Sequence, residues 1–394
     1  MRSIKTVTGL ALILSAIFWA GISAKGYWMM MLAKKHYDKG MSLRKKNDIN
    51  KALKEYVLAS NLAPEFTPAL YELAFTFNEL GLPDQAMEEY GNLLGHDPDY
   101  HPAYKRIGDI HLNQNRFDEA IAAYREYLAR NPMDSKAHYD LCYAYAKKGD
   151  LDLAIAQCKE AIGINPSWAK PYQSLGNMYS QKGEFSRAID MYKRAINIDT
   201  YNLDLSRSLG MACYQSDRLD QAEIEYQRVI REDPNCDISH KMLGDIYARK
   251  HNMEAALREY RRSLEINPDQ ACIYAQMANL YNQKGKLDEA IDQFTRLVSM
   301  NPLDAEAHSC LGVLYGQKDR YDASIYECKR ALEIEADKAK AHYTLAVSYY
   351  HMDQPALSLK HLRRAQELHY TINPEFLAKV QAAHFMNKRA SFQP

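Results

Sequence analysis

The sequence predicts an all-α chain, a solenoid of ten 34-residue helix-turn-helix units behind an apolar amino-terminal segment and closed by one further helix. Three observations predict it. Pro64, Pro98, Pro132, Pro166, Pro234, Pro268 and Pro302 fall on one lattice of period 34, with Thr200, Ala336 and Tyr370 at the points where proline is missing. Counting from these marks gives units from 33–66 to 339–372 without an insertion or deletion. Small residues and turn-forming residues then recur at the same places inside each unit.

Before the first unit, Val7 to Ala24 is an uncharged run of 18 residues, long enough to cross a hydrocarbon core. Lys25, Tyr27 and Trp28 follow, the residue types that settle at a bilayer interface. Residues 1–32 are therefore expected to be a single-pass membrane anchor and linker, with cleavage after Ile22-Ser23-Ala24 as the competing reading. Arg2 and Lys5 stand on one side of the run, against Lys25, Lys34, Lys35, Lys39, Arg44, Lys45 and Lys46 on the other. That asymmetry favours a cytosolic repeat domain. A periplasm-facing bacterial anchor also has a basic amino terminus, so an extracytoplasmic placement stays open.

Within a unit the eighth position is small: Gly40, Ala74, Gly108, Cys142, Gly176, Gly210, Gly244, Ala278, Gly312 and Ala346. Glycine inside a helix costs about 0.5–1 kcal/mol relative to alanine, so its recurrence marks a place where two backbones nearly touch. Position 20 supplies the matching surface, with Ala52, Ala86, Ala120, Ala154, Ala188, Ala222, Ala256, Ala290, Ser324 and Ser358. Between the two helices, position 15 holds glycine, asparagine, aspartate or histidine, types that tolerate a left-handed backbone. Prolines inside the units fall in first turns, as Pro68, Pro102, Pro171, Pro83 and Pro355 do. Large residues at positions 7, 11 and 24, among them Tyr56, Tyr90, Tyr124, Tyr192, Tyr226, Tyr260 and Phe294, give each pair an apolar face that only stacking can bury.

Small residues at 8 and 20, aromatics at 11 and 24 and proline at 32 resemble the tetratricopeptide repeat, over 340 of 394 residues. The resemblance implies a right-handed superhelix and a partner-binding scaffold. Lys39 at the usually apolar seventh position of the first unit departs from the pattern, as do Ser324 and Ser358. After the last unit, residues 373–394 are expected to be a capping helix, Pro374 to about Lys388, and a frayed tail.

Composition excludes several function classes. Lys plus Arg and Asp plus Glu both total 50, which gives no global pull toward nucleic acid. No phosphate-binding, zinc-protease, nucleophile-elbow or calcium-loop motif is found. The repeats, anchor and cap use nearly the whole chain, so no enzyme activity, catalytic residue, cofactor or metal is expected. His36, His138, His240, His308 and His342 all occupy position 4 and read as repeat packing. The seven cysteines are odd in number and form no C-x-x-C pair, so they read as free thiols.

In the family, positions 2, 5, 9, 12 and 13 of the first helix line a concave groove. On that resemblance the candidate partner-binding residues are Tyr37, Tyr71, Phe75, Lys105, Tyr139, Tyr143, Lys170, Asn177, Arg207, Lys241 and Asn279. Aromatic anchors beside cations and amides suit an extended, acidic or C-terminal peptide. The Lys-x-x-x-Asn clamp of chaperone-binding members is absent, because Asn177 and Asn279 follow Gln173 and Ala275 by four residues. Bacterial regulators of lipopolysaccharide assembly are similar in layout, but their C-terminal cysteine-rich metal module is missing here. The expected function is a membrane-tethered adaptor that binds peptide segments or partner domains. The alternative is the targeting or regulatory repeat subunit of a glycosyltransferase or an envelope-polymer assembly complex.

Overall fold

A computed structural model describes residues 24–390, so the expected anchor, apart from Ala24, lies outside the described residues. Among the described residues there are twenty-one helices and no strand, and no helix is long and apolar enough to cross a membrane. The helices come in antiparallel pairs: α1 (Ala24–Lys45) with α2 (Ile49–Leu62), α3 (Thr67–Glu79) with α4 (Pro83–His96), α5 (His101–Asn113) with α6 (Phe117–Arg130), and α7 (Ser135–Lys148) with α8 (Leu151–Ile164). The series continues through α9 (Ala169–Gln181), α13 (Asp237–Arg249), α14 (Met253–Ile266), α18 (Tyr321–Ile334), α19 (Ala339–His351) and α20 (Pro355–Glu367) to a last helix, α21 (Pro374–Ala390). From Thr67 to Ala339, first helices begin every 34 residues. The residues divide into two compact units, one ending at Leu205 and one beginning at Ser206.

The expected boundary between residues 32 and 33 is not a break in the helix. Ala33 is buried, but α1 runs unbroken across it from Ala24, because no proline interrupts the stretch from there to Lys45. Its first turns expose Tyr27, Trp28, Met29, Met31 and Leu32, with Trp28 72% exposed.

The turns follow from position 15. Asn47, Asn115, Asp217, His251, Asp319 and Asp353 have φ between 56° and 63°, and Gly81, Gly149, Gly183 and Gly285 between 68° and 99°. Each lets the next residue's N–H reach back to the carbonyl of position 11, as Asp150 does to Tyr145 at 3.0 Å and Asn252 to Tyr247 at 2.8 Å. This left-handed closure satisfies carbonyls that a helix end leaves free.

The seam between paired helices is tighter than an alanine-on-glycine contact. A methyl group added at Gly40, Gly108, Gly176, Gly210 or Gly244 would lie within 3 Å of the ring of Tyr56, Tyr124, Tyr192, Tyr226 or Tyr260, so the tyrosine at position 24 rests on the glycine itself. Position 20 packs beside it against the backbone. Where position 20 is serine, its hydroxyl donates to the carbonyl of position 8, Ser324 to Gly312 and Ser358 to Ala346, both at 2.7 Å. Those two departures from alanine therefore bury a satisfied hydroxyl.

One expectation is overturned in this seam. Cys142 and Cys158 are not free thiols; they form a disulfide, with Cα atoms 5.4 Å apart. They occupy positions 8 and 24 of one unit, the places held elsewhere by glycine and tyrosine, so the packing that brings ring to glycine brings sulfur to sulfur. Among the described residues, Cys213, Cys236, Cys272, Cys310 and Cys328 form no disulfide.

Successive pairs are also tied at the surface. Lys148 reaches Asp118 at 2.7 Å, Lys182 reaches Asp152 at 2.6 Å and Lys250 reaches Asp220 at 2.5 Å, with Lys284–Glu254 and Lys318–Asp288 in the same register. Such exposed bridges contribute about 0–1 kcal/mol each and act chiefly on register. At the chain's end α21 sets Phe376, Leu377 and Val380 against Ala346, Leu359 and Leu362.

Candidate partner-binding surface

The eleven candidate residues lie on first helices, from Tyr37 on α1 to Asn279 on the helix Ala271–Gln283, and their local partners sort them into two groups. Most are engaged within the fold. Tyr37 packs edge-on against Phe66 at 5.4 Å and near Tyr56, and burial raises its phenol pKa. Tyr71 is half-buried among Tyr90, Tyr100 and Phe75, and its hydroxyl accepts a hydrogen bond from Arg106 at 3.2 Å. Phe75 lies between two guanidinium groups, Arg44 at 4.3 Å and Arg106 at 4.8 Å from the ring centre. Tyr139 packs on Trp168 with ring centres 4.8 Å apart.

Lys105 is likewise committed. Its ammonium bonds Asp134 at 2.7 Å and lies 5.2 Å from the Tyr127 ring centre. Asp134 caps α7 by accepting from the Ala137 N–H at 3.0 Å, and it accepts from the Tyr127 hydroxyl at 2.8 Å. Burial pushes its carboxyl up, but these donors outweigh it and hold the pKa down at about 2. Lys241 is paired in the same manner with Asp245 at 3.0 Å. Arg207 is half-buried, and its carbonyl accepts from Tyr226 at 3.5 Å.

Position 9 shows why some candidates are tied up. The hydroxyl of the tyrosine at position 24 donates to the position-9 side chain: Tyr124 to Asp109 at 2.8 Å, Tyr192 to Asn177 at 2.7 Å and Tyr260 to Asp245 at 2.6 Å. Asn177 is exposed yet holds a core tyrosine. Where position 9 is Phe75, the Tyr90 hydroxyl is buried with no partner. Sequence reasoning missed this link, although the pairing of Asp109, Asn177 and Asp245 with tyrosines fifteen residues later was visible.

Four candidates remain turned to solvent: Tyr143, Lys170, Asn279 and the free edge of Asn177. Tyr143 is 43% exposed, with Lys147 5.3 Å from its ring centre and a disulfide, not a tyrosine, behind it. One turn earlier Asp140 has a buried carboxyl oxygen with no partner. Burial pushes the Asp140 pKa up to about 6, the Asp109 carboxylate adds to it, and Lys136 and Lys105 oppose it.

The position-4 histidines form their own register. His240 and His308 approach Glu259 at 2.8 Å and Glu327 at 2.6 Å through Nδ1, and the Pro234 and Pro302 carbonyls at 3.2 Å through Nε2. Among the described residues no group of three potential ligands is placed to hold a metal ion.

Sequence models of the tetratricopeptide repeat match residues 105–167, 179–246, 242–270 and 259–292, and one described as a TPR repeat matches 278–319. No curated protein matches the chain in sequence. Among solved structures, the C-terminal part of a TPR repeat-containing protein from Cytophaga hutchinsonii is 20% identical, with a TM-score of 0.56 over 61% of this chain and 98% of that one. That likeness shows the fold. MamA is 28% identical over 41% of this chain and 94% of its own, with a TM-score of 0.40. YrrB, titled a TPR protein with an unusual peptide-binding site, is 24% identical over 47% of this chain and 95% of its own, with a TM-score of 0.41.

Proposed function

We propose that this tetratricopeptide-repeat protein is a scaffold, not an enzyme, whose ten repeats present the first-helix face to an extended peptide or partner domain. The observation that carries the reading is Tyr143, a ring 43% exposed on a face whose other aromatics are held by their neighbours. Exposed aromatic area of this kind favours a partner. Exposed Lys136, Lys147 and Lys170 on the same stretch of chain suit an acidic segment. The test is a photocrosslinker at position 143 in cells. The reading expects one discrete adduct whose partner binds the purified protein, with Tyr143→Ala plus Lys170→Glu weakening it about tenfold or more. Equal capture from position 224, on a second helix, would sink it.

In this reading Val7–Ala24 is a retained membrane anchor, supported by the exposed Tyr27, Trp28, Met31 and Leu32 that continue from it along α1. The basic flank favours a cytosolic repeat domain. One observation favours the extracytoplasmic placement instead: the Cys142–Cys158 bond, since disulfides persist in oxidising compartments. Exposed Cys272 is a natural reporter. Labelling by a membrane-impermeant maleimide in intact cells assigns the outside, and labelling only after lysis the cytosol.

A further inference from the structure

The last helix pair breaks a rule that the other histidine-bearing pairs keep. His36, His138, His240 and His308 each meet a hydrogen-bonding partner nineteen residues on: Glu55, Gln157, Glu259 and Glu327. His342 instead meets His361, the two Nδ1 atoms 3.0 Å apart and the rings stacked at 5.2 Å. His342 Nε2 lies 3.1 Å from the Ala336 carbonyl and so carries the proton there, which leaves its Nδ1 as the acceptor and His361 as the donor. The glutamate or glutamine that fills this place elsewhere has been exchanged for a second imidazole.

Beside this pair lies a cavity of about 650 Å³, a size typical of small-molecule sites. Its walls include His342, His361 and His384, the last from α21, with Lys360, Arg363 and Arg364 from α20. Glu367 is the one acid in the lining, and it is already bonded to Arg364 at 2.9 Å. Arg364 also takes Asp337 at 2.5 Å. Lys360 and Arg363 are exposed and have no ion-pair partner among the described residues. Lys360 and Arg363, one turn apart on the same helix, repel one another, and buried Leu359 walls the same space with apolar surface. Burial, then His342, Lys360 and Lys329, holds His361 down at about 4, so the ring is a neutral hydrogen-bonding group at neutral pH.

We infer that the cavity between α20 and α21 is a binding site for a compact polyanion bearing adjacent phosphate or carboxylate groups, gripped by Lys360 and Arg363, with His384 the lining histidine available to donate a hydrogen bond to it. Guanidinium and ammonium groups at a cleft mouth concentrate anions there, and an anion seated between them relieves their mutual repulsion. This site is independent of the first-helix face around Tyr143.

The experiment is calorimetry on the full-length protein with pyrophosphate, citrate and a hexaglutamate peptide as probes. Saturable binding of at least one is expected, lost about tenfold or more in the Lys360→Glu, Arg363→Glu double variant. Exposed Lys159→Glu with Lys193→Glu makes the same change in net charge elsewhere and should move affinity by less than about twofold. His361→Glu restores the pair seen at His240 and His308, so it should fold while abolishing binding. A preference for pyrophosphate assigns a phosphate ligand, and a preference for hexaglutamate an acidic peptide. No binding by any probe, or equal loss in the control pair, overturns the site.

Discussion

The pair α7/α8 and the pair α13/α14 solve one packing problem in two ways. In α13/α14 the ring of Tyr260 lies on Gly244, and its hydroxyl donates to Asp245 at 2.6 Å. Asp245 is 7% exposed and also holds Lys241. In α7/α8 both seam residues are cysteines and the helices are joined covalently. No hydroxyl then calls on position 9, and the residue there, Tyr143, faces solvent. In these two pairs, what fills the seam goes with whether position 9 supports the core or faces solvent.

The largest expected effect comes from emptying the seam that relies on the ring. Tyr260→Ala should destabilise by about 3–5 kcal/mol, through the cavity and through the buried Asp245 Oδ1 left without its phenol donor, measured by urea unfolding. A loss under about 1 kcal/mol would mean that the glycine contact is incidental. Next, Cys158→Ser should cost about 3 kcal/mol, the loop-closure value for two cysteines sixteen residues apart. If the two seams are equivalent, Cys142→Gly with Cys158→Tyr should recover most of that loss even under reducing conditions.

Asp140 sharpens the comparison on the side facing the preceding pair, where α13 has buried Met242 at the corresponding position. A carboxyl raised from 3.8 to about 6 is protonated more readily in the folded than in the unfolded state. Its contribution to stability is therefore best below pH 4 and declines as pH rises toward 6, with no further change above. Asp140→Asn removes that slope, so the variant should gain on the order of 2 kcal/mol over wild type at pH 7.5 and little at pH 3.5. An equal difference at both pH values would assign the effect to packing.

The repeat lattice and its turns were legible because they depend on backbone needs that few residue types meet, such as the positive φ at Asn115 and Gly149. The candidate surface was legible only as a face. Spacing places Lys105 and Tyr143 on it alike, but the difference between them lies in partners far along the chain, Asp134 for the first and Cys158 behind the second. The disulfide was hidden for a related reason. Cys142 and Cys158 each pass for a small core replacement, and only the contact between positions 8 and 24 makes them a pair. The sequence reading set position 8 against position 20, where the serines show that backbone and side chain meet, and so overlooked the ring.

The smallest expected effect on stability is the one with most bearing on function. Tyr143 has no hydrogen bond to a core group in its helix pair, unlike Asp245, and its contact with Lys147 is an exposed cation–π pair worth about 0.5–1 kcal/mol. Tyr143→Ala should therefore change unfolding free energy by less than about 1 kcal/mol, several-fold less than Tyr260→Ala. Adding the change to the reconstructed Cys142→Gly, Cys158→Tyr background makes the test sharper. There the introduced phenol hydroxyl lies behind position 9, and Tyr143→Asp should now stabilise by about 1 kcal/mol, because it supplies the acceptor that Asp109 and Asp245 supply in their own pairs. In the disulfide background the same Tyr143→Asp change has no hydroxyl to receive and should gain nothing. A gain in both backgrounds would separate position 9 from the seam and remove the reason given for the exposure of Tyr143.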